Sequence, residues 1–196
     1  MNIKLKFLSY WTPDSILINE LERLSNLTNT HFNILMDKYS ISPYSIENPS
    51  KGKLEERRAI MAANHNLHVN ILIETLGFKK ALKIGRTEMF KAGYILGCET
   101  KKRLNIDNNI NETIATAHIL YKVLGVKFTI KKEEKQLMLK VKSCALANHY
   151  TSQTCEIMSA ADEGVLKGLN NKMDMKFLKR ITDGSKNCEA CINIEY

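Results

Sequence analysis

The chain has 196 residues, of which 44% are hydrophobic and 26% charged, a composition that argues against a disordered protein. No stretch approaches the roughly 18–20 apolar residues that a membrane-spanning helix needs, so we expect no membrane partner. The first residues, MNIKLKFLSYWTPDS, contain no sustained apolar run and no small-residue cleavage site. We therefore expect no signal peptide and a cytoplasmic protein.

The formal net charge of +8 comes from basic residues that are scattered along the chain. They form no arm of five or six residues, and no aromatic side chains alternate with them. This distribution indicates a solvated basic surface rather than a nucleic-acid interface, and such a surface would also attract an anionic small molecule. The odd number of cysteines, five, favours metal binding, catalysis or burial over disulfide bonds.

The N-terminal part is predicted to be a helical arm followed by a linker. Apolar residues recur at helical spacing from about Asp14 to Tyr39. The segment ISPYSIENPSKGK, Ile41 to Lys53, contains two prolines and a glycine and predicts a loop. We therefore divide the chain into an arm with its linker, residues 1–53, and a main domain, residues 54–196.

Two further helices are predicted from Leu54 to Leu76 and onward from Gly77, which has the character of a helix end. The second contains Gly93 and Gly97, although glycine inside a helix costs about 1 kcal/mol relative to alanine. The two glycines are four residues apart and therefore share one helix face. We interpret them as a site of close packing against another backbone, the alternative being room for a ligand.

The remaining chain alternates between helical and strand periodicity. A helix is predicted from about Asn111 to Leu124, and apolar residues then alternate on either side of the charged turn KKEEK, which indicates an antiparallel hairpin. A further helix ends near Gly168, and a second hairpin follows around TDGSKN. This order predicts an α+β fold in which helices pack on one face of a four-stranded antiparallel sheet made of two hairpins.

The last hairpin contains CEAC, which has the spacing of half a metal site. Residues three apart on a strand point to opposite faces, so Cys188 is predicted to face inward and Cys191 outward. A shared metal would require the strand to break.

The segment SCALANHYTSQTCEIMSAADEGVLKGLN would place Cys144 and Cys155 about 16 Å apart if it were one continuous helix. One zinc ion cannot bridge that distance, because its bonds to sulfur are about 2.3 Å long. The two cysteines can meet only if CALAN is a turn between a strand and a helix, with Ser143 or Asn148 as the helix cap. In that arrangement His149 and Cys188 join them as candidate metal ligands.

Cys155, Ser159 and Asp162 lie on one helix face at steps of four and three residues. Cys155 could act as a nucleophile, but a nearby carboxylate raises the pKa of a thiol, so activation would have to come from His149, a metal or Arg86. The alternative is a buried Cys155 with Asp162 at a solvent-facing helix end. His65 and His68 also share a helix face, but no third ligand follows them.

Several segments together resemble the family of L-2-amino-thiazoline-4-carboxylic acid hydrolase-like proteins, which is similar to the 4-vinyl reductase small-molecule-binding domain and to TRAPP subunits. They are LGFKKALKIGRTEMFKAGYILGCETKKRL, ILYKVLGVKF, CALANHYTSQTCEIMSAADEGVLKGLN and MKFLKRITDGSKNC. The match runs from about Leu76 to Cys188, and its most specific residues are Cys144, Cys155, Asp162, Gly164, Gly168, Leu169 and Cys188. The chain departs from the family pattern at Ala190, where an aromatic residue is usual, in the additional Cys191, and in the N-terminal arm.

The resemblance implies hydrolysis of a cyclic carbon–nitrogen bond in a thiazoline- or amidine-like molecule. Cys155 and Asp162 would be catalytic, and His149 and Arg86 would bind the ligand. Cys144, Cys155 and Cys188 would converge on zinc or an iron–sulfur cluster. Two alternatives stay open: a non-catalytic sensor or carrier, and an assembly scaffold with inert cysteines. In each case we expect a small molecule or a second copy of the chain as partner, and no nucleic acid.

Overall fold

The computed structural model describes Leu5 and residues 12–42, 52–133 and 136–195. The predicted linker falls largely on residues 43–51, which lie outside the described residues, as does most of the N-terminal stretch. The long helices of the described residues are α1 (Asp14–Lys38), α2 (Leu54–Leu76), α3 (Phe78–Leu104), α4 (Ile110–Val123) and α5 (Ser152–Leu169). The strands are β1 (Val126–Lys132), β2 (Gln136–Cys144), β3 (Met173–Lys179) and β4 (Cys188–Ile194).

The strands form one antiparallel sheet in the order β1-β2-β4-β3. Two hairpins, β1–β2 and β3–β4, are joined where β2 pairs with β4, for example at Leu139 opposite Ala190. Alternate residues of each strand are buried on one face, and α4 and the end of α5 pack against that face through residues such as Ile114 and Leu166. The predicted α+β class and its two-hairpin sheet are confirmed.

A second apolar cluster lies between the helices. Phe32 of α1 and Leu72 of α2 are fully buried there beside Met89 of α3 and Ile157 of α5. The helix α1 therefore shares a core with the segment that follows residue 53. In the described part of the chain, none of the helices is long and apolar enough to cross a bilayer.

The helices α3 and α5 cross with their backbones in contact. A Cβ atom at Gly93 would overlap the carbonyl oxygen of Ala161, and one at Gly97 would overlap that of Val165. The close packing inferred from the spacing of these two glycines is thus confirmed.

The contact is reciprocal on α5. A Cβ atom at Gly164 would overlap the carbonyl oxygen of Phe90, and one at Gly168 would overlap that of Tyr94. Each helix therefore contributes two glycines, four residues apart, to one crossing. Any larger residue at these positions would force the helices apart.

We expect Gly93→Ala to lower the free energy of unfolding by about 1–3 kcal/mol, because overpacking against a fixed backbone outweighs the better helix propensity of alanine. Urea unfolding followed by circular dichroism measures this. Gly85→Ala is the matched control on the same helix, since a Cβ there would meet only Ile157 side-chain atoms, the nearest at 3.0 Å. A Gly93→Ala variant that is more stable than the parent would contradict the tight crossing.

Candidate functional site

A cavity of about 100 Å³ lies between α5 and the sheet, near the end of β2 and the start of β4. Its apolar walls come from α2, α4, α5 and the sheet. Its polar and sulfur-containing lining consists of His65, Tyr121, Cys144, Tyr150, Cys155, Ser159, Asp162, Arg180 and Cys188. The cavity therefore combines an apolar enclosure with several hydrogen-bonding groups.

Cys144 reaches the cavity because the chain turns sharply after β2. A single 3₁₀ turn, Leu146–Asn148, follows the strand, and α5 begins only at Ser152. CALAN is thus a strand-to-helix turn and not part of one continuous helix. The helix cap is Thr151, whose side chain accepts a hydrogen bond from the Thr154 amide at 3.1 Å. The predicted caps, Ser143 and Asn148, are therefore wrong.

Cys144, Cys155 and Cys188 all line this one cavity. Cys188 is buried on the inner face of β4, whereas the Cys191 thiol approaches Gln136 Oε1 at 2.8 Å, as expected from strand alternation. No three Cys, His, Asp or Glu side chains among the described residues are grouped so that they could hold a metal ion. The cysteines are thus neighbours along a cavity wall and not a preformed ligand set, and metal binding stays a prediction.

The thiols are held in their protonated form. Burial raises the pKa of Cys155 to about 12, although the nearby Thr182 hydroxyl opposes this. Burial likewise raises the pKa of Cys144 to about 11, and that of Cys188 also rises. At pH 7 Cys155 is therefore a thiol and not the thiolate, which is the form that acts as nucleophile and metal ligand.

Asp162 is the carboxyl group of the cavity. It is half-buried by surface area because it faces the cavity, yet burial away from bulk water raises its pKa to about 7. A hydrogen bond with Tyr121 opposes this rise, and the charge of Glu163 adds to it. Asp162 can therefore either donate or accept a proton near neutral pH.

His65 is hydrogen-bonded at both ring nitrogens. Nδ1 lies 2.6 Å from the Tyr150 hydroxyl and Nε2 lies 2.8 Å from the Thr28 hydroxyl. Burial lowers the pKa of His65 to about 3, so the ring is neutral. His68 stacks on Phe32 with ring centroids 4.4 Å apart, and the His65 ring also lies against Phe32, with centroids 5.9 Å apart.

The structure places Arg86 and His149 outside the cavity lining. Arg86 Nη2 donates to both carboxylate oxygens of Glu163, at 2.9 and 2.8 Å. His149 follows the 3₁₀ turn, and its carbonyl oxygen accepts a hydrogen bond from Asn66 at 2.8 Å.

The sequence did not identify Arg180 as a cavity residue, because nothing in its local pattern distinguishes it from a surface arginine at a strand end.

A second cavity of about 50 Å³ adjoins the first and is almost entirely apolar. The two cavities share Tyr121, Leu124 and Asp162 in their linings. The second extends between α4, α5 and the sheet, with Leu139, Leu166 and similar residues as walls. The hydrogen-bonded pair of Tyr121 and Asp162 thus lies between a polar and an apolar compartment.

No protein-family model and no curated protein matches this chain. Among solved structures, the chain is similar to the trafficking protein particle complex (TRAPP) subunit 3 of Naegleria fowleri covalently bound to palmitic acid. The TM-score is 0.56 and the sequence identity is 12%, and the match covers 72% of this chain and 97% of that one. It also matches the phenol-responsive sensory domain of the transcription activator PoxR with phenol, with a TM-score of 0.47 and 15% identity over 70% and 74% of the two chains.

The first of these similarities establishes that the chain has the fold of a TRAPP subunit. The expected resemblance to TRAPP subunits is therefore confirmed at the level of the fold. Neither structure is named as a hydrolase, so the thiazoline hydrolase-like assignment stays a proposal.

We expect Asp162→Asn to raise the free energy of unfolding at pH 7.5 by an amount on the order of 2–4 kcal/mol. The folded-state pKa of about 7 lies above the ordinary value of 3.8, so the wild type loses stability as pH rises from about 4 to 7, and asparagine removes that loss. Urea unfolding at pH 5 and pH 7.5 measures how much the free energy of unfolding falls between these two pH values in the wild type and in the variant. The control is Asp174→Asn, where the side chain is 50% exposed, and an equal effect there would refute the explanation.

Proposed function

We propose that this protein is a small-molecule-binding domain whose ligand occupies the cavity between α5 and the sheet. The observation that carries this proposal is an interior cavity in which Asp162, Tyr121 and Arg180 face the same space among apolar walls. Binding sites for small molecules are mostly apolar with a few convergent polar groups. The apolar walls would supply affinity, and the polar groups would orient the ligand.

The volumes indicate the size of ligand. The two cavities measure about 100 and 50 Å³, and an engineered apolar cavity of about 150 Å³ is known to bind benzene. A ligand with a single ring or a short chain therefore suits this space. Its apolar part would contribute about 25 cal/mol for each Å² of surface removed from water.

The fold comparison supports an apolar ligand body. The TRAPP subunit of Naegleria fowleri is covalently bound to palmitic acid, which has an apolar acyl chain. In the present chain the compartment beyond Tyr121 and Asp162 is also lined almost entirely by apolar residues. A covalent bond to a cavity thiol is not favoured here, because burial raises the pKa of Cys155 to about 12.

A hydrolase is the second candidate, and it is favoured by the position of Asp162 in the cavity beside Tyr121, where burial raises the pKa of this carboxyl group to about 7. A carboxyl group with that pKa can accept a proton from an attacking water and return it to a leaving nitrogen. Water would add to the ring carbon of a thiazoline- or amidine-like molecule, and the carbon–nitrogen bond would then break. The protonated state of Cys155 favours water over the thiol as nucleophile.

Zinc or an iron–sulfur cluster held by Cys144, Cys155 and Cys188 is a separate prediction. The described residues do not form a group of three ligands, so the present geometry does not fit a bound ion without rearrangement. The steps assigned to Asp162 and water above do not depend on it.

We expect a compound such as 2-phenylethanol to raise the melting temperature by about 5–10 °C at 100 times its dissociation constant. Val141→Phe should abolish this shift, because Val141 is 3% exposed, lines the cavity and would fill it when enlarged. Leu178→Phe, at a side chain that is 56% exposed on β3, is the matched control and should bind normally. An equal shift in both variants would place the ligand elsewhere.

If the protein is a hydrolase, we expect it to open 2-amino-thiazoline-4-carboxylate, and Asp162→Asn should lower kcat at least about 100-fold while Cys155→Ser retains most activity. Product formation measured by chromatography distinguishes the two. If Cys155→Ser instead loses activity while Asp162→Asn retains it, Cys155 is the nucleophile. Loss of turnover with a chelator, together with measured zinc or iron, would support the metal site. If the wild-type protein shows no turnover, the hydrolase proposal is contradicted and the proposed ligand binding is unaffected.

A further inference from the structure

Arg180 follows directly after β3 and lines the polar cavity. Its side chain is only 13% exposed. The guanidinium carbon lies 5.7 Å from the centroid of the Phe177 ring, which also lines the cavity and supports the guanidinium from one side. This arginine therefore belongs to the cavity and not to the solvated basic surface.

Its hydrogen bonds in the described structure leave part of the guanidinium without a partner. Nη2 donates to Ser159 Oγ at 3.1 Å, and Nη1 forms an ion pair with Asp183 Oδ2 at 3.8 Å, a separation too long for a hydrogen bond. The Nε atom is buried and has no hydrogen-bond partner among the described residues. Ser159 donates its own proton to the Glu156 carbonyl at 2.9 Å, and its Oγ accepts from both Arg180 and Arg86, the latter through Nη1 at 3.2 Å. Arg86 is in turn ion-paired with Glu163.

Of the neighbouring carboxylates, Asp183 is the ion-pair partner of Arg180, but its side chain is 41% exposed and it has a second partner. Asp183 accepts a hydrogen bond from the Ser152 hydroxyl at 2.6 Å, and Glu163 is held by Arg86. Asp162 is hydrogen-bonded with Tyr121, and no ion pair joins it to Arg180 in the described part of the chain. A desolvated guanidinium with an unmade hydrogen bond is costly, so a ligand that supplies an acceptor there gains free energy.

Arg180 is the single lysine or arginine among the described residues that line this cavity. One guanidinium balances one negative charge, and the parallel N–H groups at Nε and Nη2 suit the two oxygens of a carboxylate. A phosphate dianion would bring a second, unbalanced charge into apolar surroundings. The cavity geometry thus favours a monoanionic carboxylate.

We propose that Arg180 binds the carboxylate of a small organic acid whose ring or short chain occupies the apolar part of the cavity. This inference rests on the proposed function as a small-molecule-binding domain and specifies the chemical class of its ligand. Arg180 is then the residue that determines specificity for anions, in place of the sequence-predicted Arg86.

The test compares phenylacetate with 2-phenylethanol, which has a similar ring and chain without the charge, by isothermal titration calorimetry. We expect phenylacetate to bind the wild type more tightly, and Arg180→Met to weaken phenylacetate about 10- to 100-fold while changing the alcohol little. Lys179→Met is the matched control, because Lys179 is the adjacent basic residue, is 59% exposed and pairs with Glu189 outside the cavity. It should leave both affinities unchanged.

Equal binding of the two compounds, unaffected by Arg180→Met, would overturn the role of Arg180 and leave the binding domain intact. Binding of neither compound to the wild type would overturn both proposals. If Arg180→Met fails to fold, Arg180→Lys replaces it, since lysine keeps the charge but lacks the planar fork. That variant should weaken phenylacetate and spare the alcohol, and unchanged phenylacetate binding would contradict the proposal.

Discussion

The backbone contact between α3 and α5 is the constraint on which the site depends. Four glycines, at positions 93, 97, 164 and 168, allow the two helices to touch without intervening side chains. This backbone contact fixes the rotation of α5 about its own axis, because rotating the helix would bring a side chain into the opposing backbone. The rotation in turn decides that Cys155 and Asp162, seven residues apart, face the cavity.

The same constraint accounts for buried polar groups beside an apolar core. The helix α5 contacts α3 in both its halves, its N-terminal half also packs into the helical cluster, and Leu166 near its C-terminal end packs on the sheet. Space remains where α5 passes over the ends of β2 and β4, and the tyrosines, Asp162 and Arg180 lie around it. Packing elsewhere must offset the desolvation of these groups, a pattern expected at functional sites rather than in a purely structural core.

The sequence was informative where burial acts locally. Alternating apolar residues predicted both hairpins, and the spacing of Gly93 and Gly97 predicted a close helix contact, because each pattern directly reflects which face is buried. The turn at CALAN could not be predicted in the same way, since its residues also suit a helix and the turn depends on distant pairing, such as the hydrogen bond from the Ala145 amide to the Gly125 carbonyl. The cavity role of Arg180 likewise depends on tertiary packing.

Burial also determines which side chains of the cavity are charged, and residue spacing could not predict this. Loss of hydration raises the pKa of Cys155 to about 12 and that of Asp162 to about 7, and it lowers the pKa of His65 to about 3, so each of these groups moves toward its neutral form. An arginine side chain cannot respond in this way, because it keeps its proton in proteins. Desolvation therefore neutralises the thiols, the carboxyl group and the imidazole alike and leaves an arginine as the charged group. This is the physical basis of the proposal that a cavity of thiol, carboxyl and imidazole groups, buried around one arginine, selects an anionic ligand.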